Sequence, residues 1–115
     1  MRKTVVLVGA TGLIGNALLH ELIQEPKVSE IRIFVRRNIE GLPEKVKQFV
    51  TDFQDLAVIK EQVVGDVIYC CVGTTRKKTP DLTDYRNIDF GINIGMAKLA
   101  KENGISTVHL ISAMG

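Results

Sequence analysis

The fold is decided by residues 4–15, which read TVVLVGATGLIG. The apolar run 4–8 is typical of a buried β-strand, and residues 13–24 have the apolar spacing of an amphipathic helix. Glycines at positions 9, 12 and 15 occupy the turn between them. The stretch therefore predicts a strand, a tight glycine turn and a helix in immediate succession.

The spacing of the glycines indicates a loop that holds phosphate. Gly9 permits a sharp turn because it has no Cβ, Gly12 leaves room for a pyrophosphate, and Gly15 lets the helix lie close to the strand. Unpaired N–H groups at the helix N-terminus carry a partial positive charge that favours anions. The alternative is a tight strand–helix turn of some other α/β protein. The predicted cofactor-binding residues of this loop are Gly9, Thr11, Gly12, Leu13, Ile14 and Gly15.

The composition is that of one small soluble domain. The chain has 115 residues, which is enough for a single hydrophobic core. Its net charge of +2 is too small to indicate nucleic acid binding. No apolar run approaches the roughly 18 residues of a membrane span. We therefore expect neither a nucleic acid nor a membrane as a partner.

The two cysteines, Cys70 and Cys71, are neighbours in an apolar run, and no other cysteine supplies the spacing of a metal site. We interpret them as buried thiols in a reducing compartment, with a vicinal redox pair as the alternative. The N-terminus leads straight into a strand, without the apolar stretch of a signal peptide. These features predict a cytoplasmic location.

The rest of the chain alternates between strand and helix patterns. We predict strands at residues 30–35, 46–51, 67–72 and 107–111, and helices at residues 56–63 and 84–103, with at most a helical turn in residues 36–45. The apolar spacing places Ile14, Ala17, Leu18 and Leu22 on one face of the first helix, and Ile88, Ile92, Met96 and Leu99 on the core face of the longest helix. The fold class is therefore α/β, a doubly wound parallel sheet of strand order 3-2-1-4-5 that ends after strand five. The order reverses between strands one and four, and a nucleotide is expected in the crevice there. The predicted cofactor-binding residues after strand four are Cys71, Val72, Gly73 and Thr74.

Several motifs resemble those of the extended and atypical short-chain dehydrogenase/reductase superfamily. They are the glycine motif, CCVGTTRKK at residues 70–78, YRNID at residues 85–89 and LISAMG at residues 110–115. Together they resemble the NAD(P)H-binding branch related to the Tat-interacting oxidoreductase-like protein, over essentially the whole chain. The resemblance implies an NAD(P)-binding Rossmann fold and oxidoreductase activity.

The resemblance also implies a catalytic Tyr-x-x-x-Lys pair. Neither Tyr69 nor Tyr85 has a lysine four positions later. The catalytic hydroxyl position of the family aligns with Ala113, so Ser112, one residue earlier, is the catalytic candidate. We therefore expect residues 1–115 to be a dinucleotide-binding domain, the N-terminal part of a longer reductase. No metal is predicted.

The residues after strand two bear on the choice of nucleotide. NAD-binding proteins usually carry an acidic residue there that binds the ribose 2′-OH, but this chain has Arg36 and Arg37. Guanidinium groups pair with a 2′-phosphate, so NADP(H) is favoured over NAD(H); a solvated surface pair is the alternative. The resemblance aligns Asp52 with a residue that contacts the adenine amino group, and Phe53 is placed beside it in the site. The alternative role for Asp52 is a helix-capping carboxylate.

Three functions are compatible with these features. The first is an NADP(H)-dependent oxidoreductase acting on an unknown small molecule, and the second is a redox sensor or partner-binding protein that holds NADP(H) without turnover. The third, methyl transfer from S-adenosylmethionine, is disfavoured because that ligand carries no phosphate for the arginines. Self-association through the edge of strand five is also expected, with disorder of the last few residues as the alternative.

Gly91 and Gly95 in the longest helix are interpreted as a place of close packing on the sheet, with a homodimer seam as the alternative.

Overall fold

The computed structural model describes residues 3–72 and 82–111, with the backbone alone for 82–90. These residues form one parallel sheet of five strands in the order β3-β2-β1-β4-β5, which confirms the predicted topology. The strands are β1 (Lys3–Val8), β2 (Val28–Val35), β3 (Val46–Val50), β4 (Val67–Cys70) and β5 (Thr107–Leu110).

Two α-helices and one 3₁₀ helix connect the strands: α1 (Leu13–Gln24), the 3₁₀ helix (Leu56–Gln62) and α2 (Leu82–Glu102). Residues 36–45, between β2 and β3, contain no helix. The Gln48 side chain instead holds this connection to β3, because it accepts from Ile39 N at 2.8 Å and donates to Ile39 O at 2.6 Å. The Gln48 side-chain amide thus positions a connection that in parallel sheets usually contains a helix.

The central strand β1 is buried on both faces of the sheet. Val5 and Leu7 pack on the side of α1, and Val6 and Val8 pack on the side of α2, each at most 2% exposed. This explains why residues 5–8 form an uninterrupted apolar run rather than an alternating one. The α1-side core also contains Leu19, Leu22, Ile31, Ile33 and Val46, and the α2-side core contains Phe34, Val63, Ile68, Met96 and Ala100.

The face that α1 buries differs from the sequence-based expectation. We predicted burial of Ile14, Ala17, Leu18 and Leu22, but the buried positions are Gly15, Leu19 and Leu22. Gly15 allows the helix to touch the backbone of the glycine turn, and its contact face therefore runs through positions 15, 19 and 22. On α2 the predicted core positions Ile92, Met96 and Leu99 are buried, and Ile88 lies where only the backbone is described.

We predict that Gly15→Ala strongly destabilises the fold. A Cβ at this position would overlap the carbonyl oxygen of Gly9, so two backbone segments would have to separate. The expected loss in free energy of unfolding is about 3 kcal/mol or more, measured by urea denaturation. The matched control is Gly12→Ala, in which the new Cβ would meet only Gly9 O, at 3.7 Å. Its free energy of unfolding should fall by only about 1 kcal/mol. Equal losses in the two variants would contradict this account of the turn.

Candidate functional site

The glycine loop forms a closed turn at the carboxyl end of β1. Gly9 has a φ of 91°, and its carbonyl accepts from Gly12 N at 3.2 Å. Asn16 N then donates to Gly12 O at 2.8 Å, which begins α1. The N-cap residue Gly12 has no side chain with which to cap the first turn of α1. The first amides of the helix therefore remain available to an anionic ligand.

The segment after β4 lies directly against this loop. A Cβ added at Gly9 would be only 2.6 Å from both Cys71 C and Val72 N, so the approach of the two backbones requires glycine. This contact stands at the reversal of strand order between β1 and β4. Gly73 and Thr74, predicted to continue the same wall, lie outside the described residues.

A cleft of about 420 Å³ opens between the glycine loop and the ends of the neighbouring strands. Two of the three glycines, both arginines and the two described residues after β4 contribute to its wall. The predicted residues Leu13, Ile14 and Gly15 lie outside the lining: Leu13 and Ile14 on α1 are 81% and 37% exposed, and Gly15 is buried. The lining residues are Gly9, Ala10, Thr11, Gly12, Phe34, Val35, Arg36, Arg37, Phe53, Cys71, Val72 and Ile92.

The end of β2 gives the cleft a positively charged edge. Arg36 and Arg37 are both exposed, and the Arg36 guanidinium carbon lies 5.7 Å from the centre of the Phe53 ring, a cation–π distance. Phe53 has a φ of 62°, and its N–H donates to Thr51 Oγ1 at 3.1 Å. In the part of the chain that the structure describes, no carboxylate forms an ion pair with either arginine.

The two aspartates after β3 have different local roles. Asp55 caps the 3₁₀ helix by accepting from Ala57 N at 3.1 Å. Asp52 is exposed, lies outside the lining of the cleft, and accepts from Gln54 N at 2.9 Å in a tight turn. The helix-capping alternative therefore belongs to Asp55, and the contact of Asp52 with adenine stays a prediction.

The two cysteine side chains point to opposite faces of the sheet. Cys70 belongs to the α2-side core and Cys71 to the α1-side core. Burial raises the pKa of Cys70 to about 12, with a further contribution from Cys71, and burial also raises the pKa of Cys71. Both groups are therefore protonated thiols at neutral pH, and their placement disfavours a vicinal redox pair.

The catalytic candidate Ser112 and its neighbour Ala113 lie outside the described residues. Four residues that line the cleft were not predicted as site residues: Ala10, Phe34, Val35 and Ile92. Ala10 lies within the predicted glycine loop, Phe34 and Val35 end a buried strand, and Ile92 was expected only in the core. An apolar residue that lines a cleft has the same sequence pattern as one that fills a core, so no sequence signal separates the two.

Known proteins share the family and the fold of this chain. A sequence model of the NAD dependent epimerase/dehydratase family matches residues 5–114. The chain belongs to this family. Proteins of the family bind a nicotinamide dinucleotide, and the resemblance to the short-chain dehydrogenase/reductase superfamily is thereby confirmed.

Two curated relatives resemble almost the whole chain. Protein FMP52, mitochondrial, of Candida albicans is 34% identical over 114 residues, which are 95% of this chain and 50% of that protein. Protein HTATIP2 of Rattus norvegicus is 32% identical over 117 residues, covering 98% of this chain and 48% of that protein. The chain thus spans about half the length of the curated relatives it matches.

Solved structures share the fold at low sequence identity. A short-chain dehydrogenase/reductase from Veillonella parvula in complex with NADP has a TM-score of 0.68 at 19% identity, over 100% of this chain and 49% of that chain. A variant of uronate dehydrogenase from Agrobacterium tumefaciens complexed with NAD has a TM-score of 0.74 at 18% identity, over 98% and 42%. Both nucleotides are therefore found on this fold.

The predicted cytoplasmic location is wrong by this comparison. The matching FMP52 proteins of Candida albicans, Eremothecium gossypii and Saccharomyces cerevisiae are all named mitochondrial. The prediction depended on the two thiols and on the pattern of the first residues, and thiols that the fold buries do not report on their compartment. Among the described residues, no helix has the length and apolarity to cross a membrane.

We predict that Gly12→Val abolishes cofactor binding and leaves the fold intact. Gly12 has φ −76° and ψ 172°, which any residue adopts, so the glycine is needed for ligand space rather than for the backbone. Binding of NADP⁺ is measured by calorimetry and the fold by far-UV circular dichroism. The control is Ala17→Val, at an exposed position of α1 that lies outside the cleft. Normal binding by Gly12→Val would mean that the loop does not hold the phosphates.

Proposed function

We propose that residues 1–115 are the nucleotide-binding part of an NADP(H)-dependent short-chain-type oxidoreductase that acts on a small molecule. The observation that carries the choice of nucleotide is the pair of exposed guanidinium groups of Arg36 and Arg37 on the wall of the cleft. They stand at the end of β2, where an acidic residue would select NAD.

The charges of the cleft favour a phosphate on the adenosine ribose. A carboxylate at the end of β2 would repel a 2′-phosphate, whereas a guanidinium donates paired N–H bonds to it. In the described part of the chain neither arginine forms an ion pair with a carboxylate, so no such ion pair has to break when the phosphate binds. The Phe53 ring beside Arg36 supplies a flat apolar surface for the adenine.

The rest of the nucleotide would follow the cleft across the sheet. The pyrophosphate would lie on residues 9–15, where the first amides of α1 lack a side-chain cap. The nicotinamide half would then extend past residues 71–72. Hydride transfer to a small carbonyl compound needs a proton donor as well, and Ser112 is the candidate hydroxyl within this chain.

The second proposed function is a sensor that holds NADP(H) without turning it over. It is supported by the sequence around the implied catalytic positions, which has Ala113 at the usual hydroxyl position and no lysine four residues after either tyrosine. A positioned proton donor contributes a factor of about 10²–10⁴ in rate, so its loss would separate binding from catalysis.

We predict that the chain binds NADP⁺ about ten- to a hundredfold more tightly than NAD⁺, since a charge-assisted hydrogen bond is worth about 1.5–3 kcal/mol. The double variant Arg36→Ala, Arg37→Ala should lose this preference. Calorimetry with both nucleotides at one fixed salt concentration measures it. The matched control is Lys47→Ala, Lys98→Ala, which removes two exposed charges away from the cleft lining. Equal affinities, or a preference that survives in the arginine variant, would overturn the assignment.

We also propose that the chain self-associates through β5. Three of its four residues are exposed, Leu110 at 54%, and among the described residues only β4 pairs with it. A seam on α2 is less favoured, because a Cβ at Gly95 would meet Leu56 of the same chain.

Because of this edge, the chain should sediment as a dimer or larger species. Because neither tyrosine has a lysine four residues later and Ala113 stands at the usual hydroxyl position, the chain should oxidise NADPH no faster than background with aldehydes, ketones or quinones. Val108→Pro, which removes a backbone donor from β5, should return it to a monomer. A monomeric chain with turnover well above background would refute both parts of the prediction.

A further inference from the structure

Asn93 on α2 is the only buried polar residue among those whose side chains are described, with 8% exposure. Among the described residues it makes two hydrogen bonds, both to the backbone of Val72. Its Oδ1 accepts from Val72 N at 3.1 Å, and its Nδ2 donates to Val72 O at 2.7 Å. A buried amide satisfied by the backbone of one residue is a specific attachment between two segments.

Val72 lies two residues beyond the end of β4, where the pairing between strands stops. Cys71 N still donates to Val8 O at 2.8 Å on the β1 side, and Ile111 N donates to Cys70 O at 3.0 Å on the β5 side. In the described part of the chain, no strand pairs with the backbone of Val72. The Asn93 side chain therefore replaces both missing backbone partners.

The same residue lies beside the nucleotide cleft. Val72 N is one of the two atoms that would be 2.6 Å from a Cβ at Gly9, so a shift of Val72 changes the gap to the glycine loop. Val72 and Ile92, the neighbour of Asn93, both line the cleft. Asn93 itself does not line it and acts only through the backbone that it holds.

We propose that Asn93 is a positioning residue that holds the segment after β4 against the glycine loop and so preforms the cleft for a nicotinamide dinucleotide. The inference rests on the proposed nucleotide binding. A wall that is already fixed does not have to be ordered when the ligand arrives, so the attachment increases affinity without touching the ligand.

The test is the pH dependence of NADP⁺ affinity in Asn93→Asp. An ionised carboxylate still accepts from Val72 N but cannot donate to Val72 O, whereas the protonated form can do both. Burial raises a carboxyl pKa, so the variant should bind about tenfold more weakly than the unmodified chain at about pH 8 and recover much of this loss near pH 5. The unmodified chain should show no such recovery between the two pH values.

Two further variants distinguish the positioning role of Asn93 from an effect of the new charge and from a general loss of stability. Asn93→Leu adds no charge and should bind weakly at both pH values; normal affinity in a folded Asn93→Leu would overturn the proposal. Asn103→Asp is the matched control, because Asn103 Nδ2 also donates to two carbonyls, Lys60 O at 2.7 Å and Val63 O at 2.8 Å, away from the cleft. It should lose stability but keep its affinity and pH profile.

Hydrogen exchange in the unmodified chain keeps the proposal testable even if the variants do not fold. The Val72 amide should exchange about as slowly as the Cys71 amide, and free exchange at Val72 would overturn the attachment. If the unmodified chain binds no NADP⁺, the proposed function fails and the positioning role with it. If it binds and Asn93→Asp binds equally at both pH values, only the positioning role fails.

Discussion

Three backbone segments meet at one point, and the rest of the structure depends on this contact. The turn after β1, the first turn of α1 and the segment after β4 approach so closely that neither Gly9 nor Gly15 has room for a Cβ. The approach sets the position of α1 against the sheet, and it brings the ends of β1 and β4 together where the strand order reverses. The cleft exists because these segments are held together below it.

Within this arrangement the three glycines have different physical roles. Gly9 and Gly15 are required by the fold, since side chains there would overlap neighbouring backbone. Gly12 has ordinary dihedral angles, and a Cβ there would meet only Gly9 O at an ordinary contact distance, so neither the backbone nor packing requires a glycine at this position. In our proposal the motif therefore combines a structural constraint at Gly9 and Gly15 with space for a ligand at Gly12. The three glycines should therefore differ in their sensitivity to substitution, and this difference distinguishes a nucleotide-binding loop from a tight turn that binds no ligand.

The topology could be predicted from the sequence because local patterns and chain connectivity determine it together. The apolar run of β1, the glycine turn and the alternation of strands and helices gave the correct strand order. The buried face of α1 could not be predicted, because it depends on how closely Gly15 approaches Gly9 across the turn. The short connection between β2 and β3 was correctly predicted to hold at most a helical turn, but the pairing of Gln48 with Ile39 that holds it to β3 has no sequence pattern.

The candidate site was harder to predict from the sequence than the fold. The positions of Arg36 and Arg37 follow from strand order alone, and both line the cleft. Asn93 could not be recognised, because nothing in the sequence shows that an amide on a helix replaces strand partners for Val72. The charged residues of the cleft and the glycines of its loop were thus predictable, whereas Asn93, which pairs with the backbone at its wall, was not.

The central claim is that this cleft binds NADP(H) through the glycine loop and the arginines of β2. The most direct measurement is a titration of the isotope-labelled chain with NADP⁺, followed by backbone amide chemical shifts. The account predicts saturable shifts that are largest at residues 9–15, at Arg36 and Arg37, and at residues 71–72. Absent shifts, or shifts confined to the edge of β5 or the exposed side of α2, would contradict it.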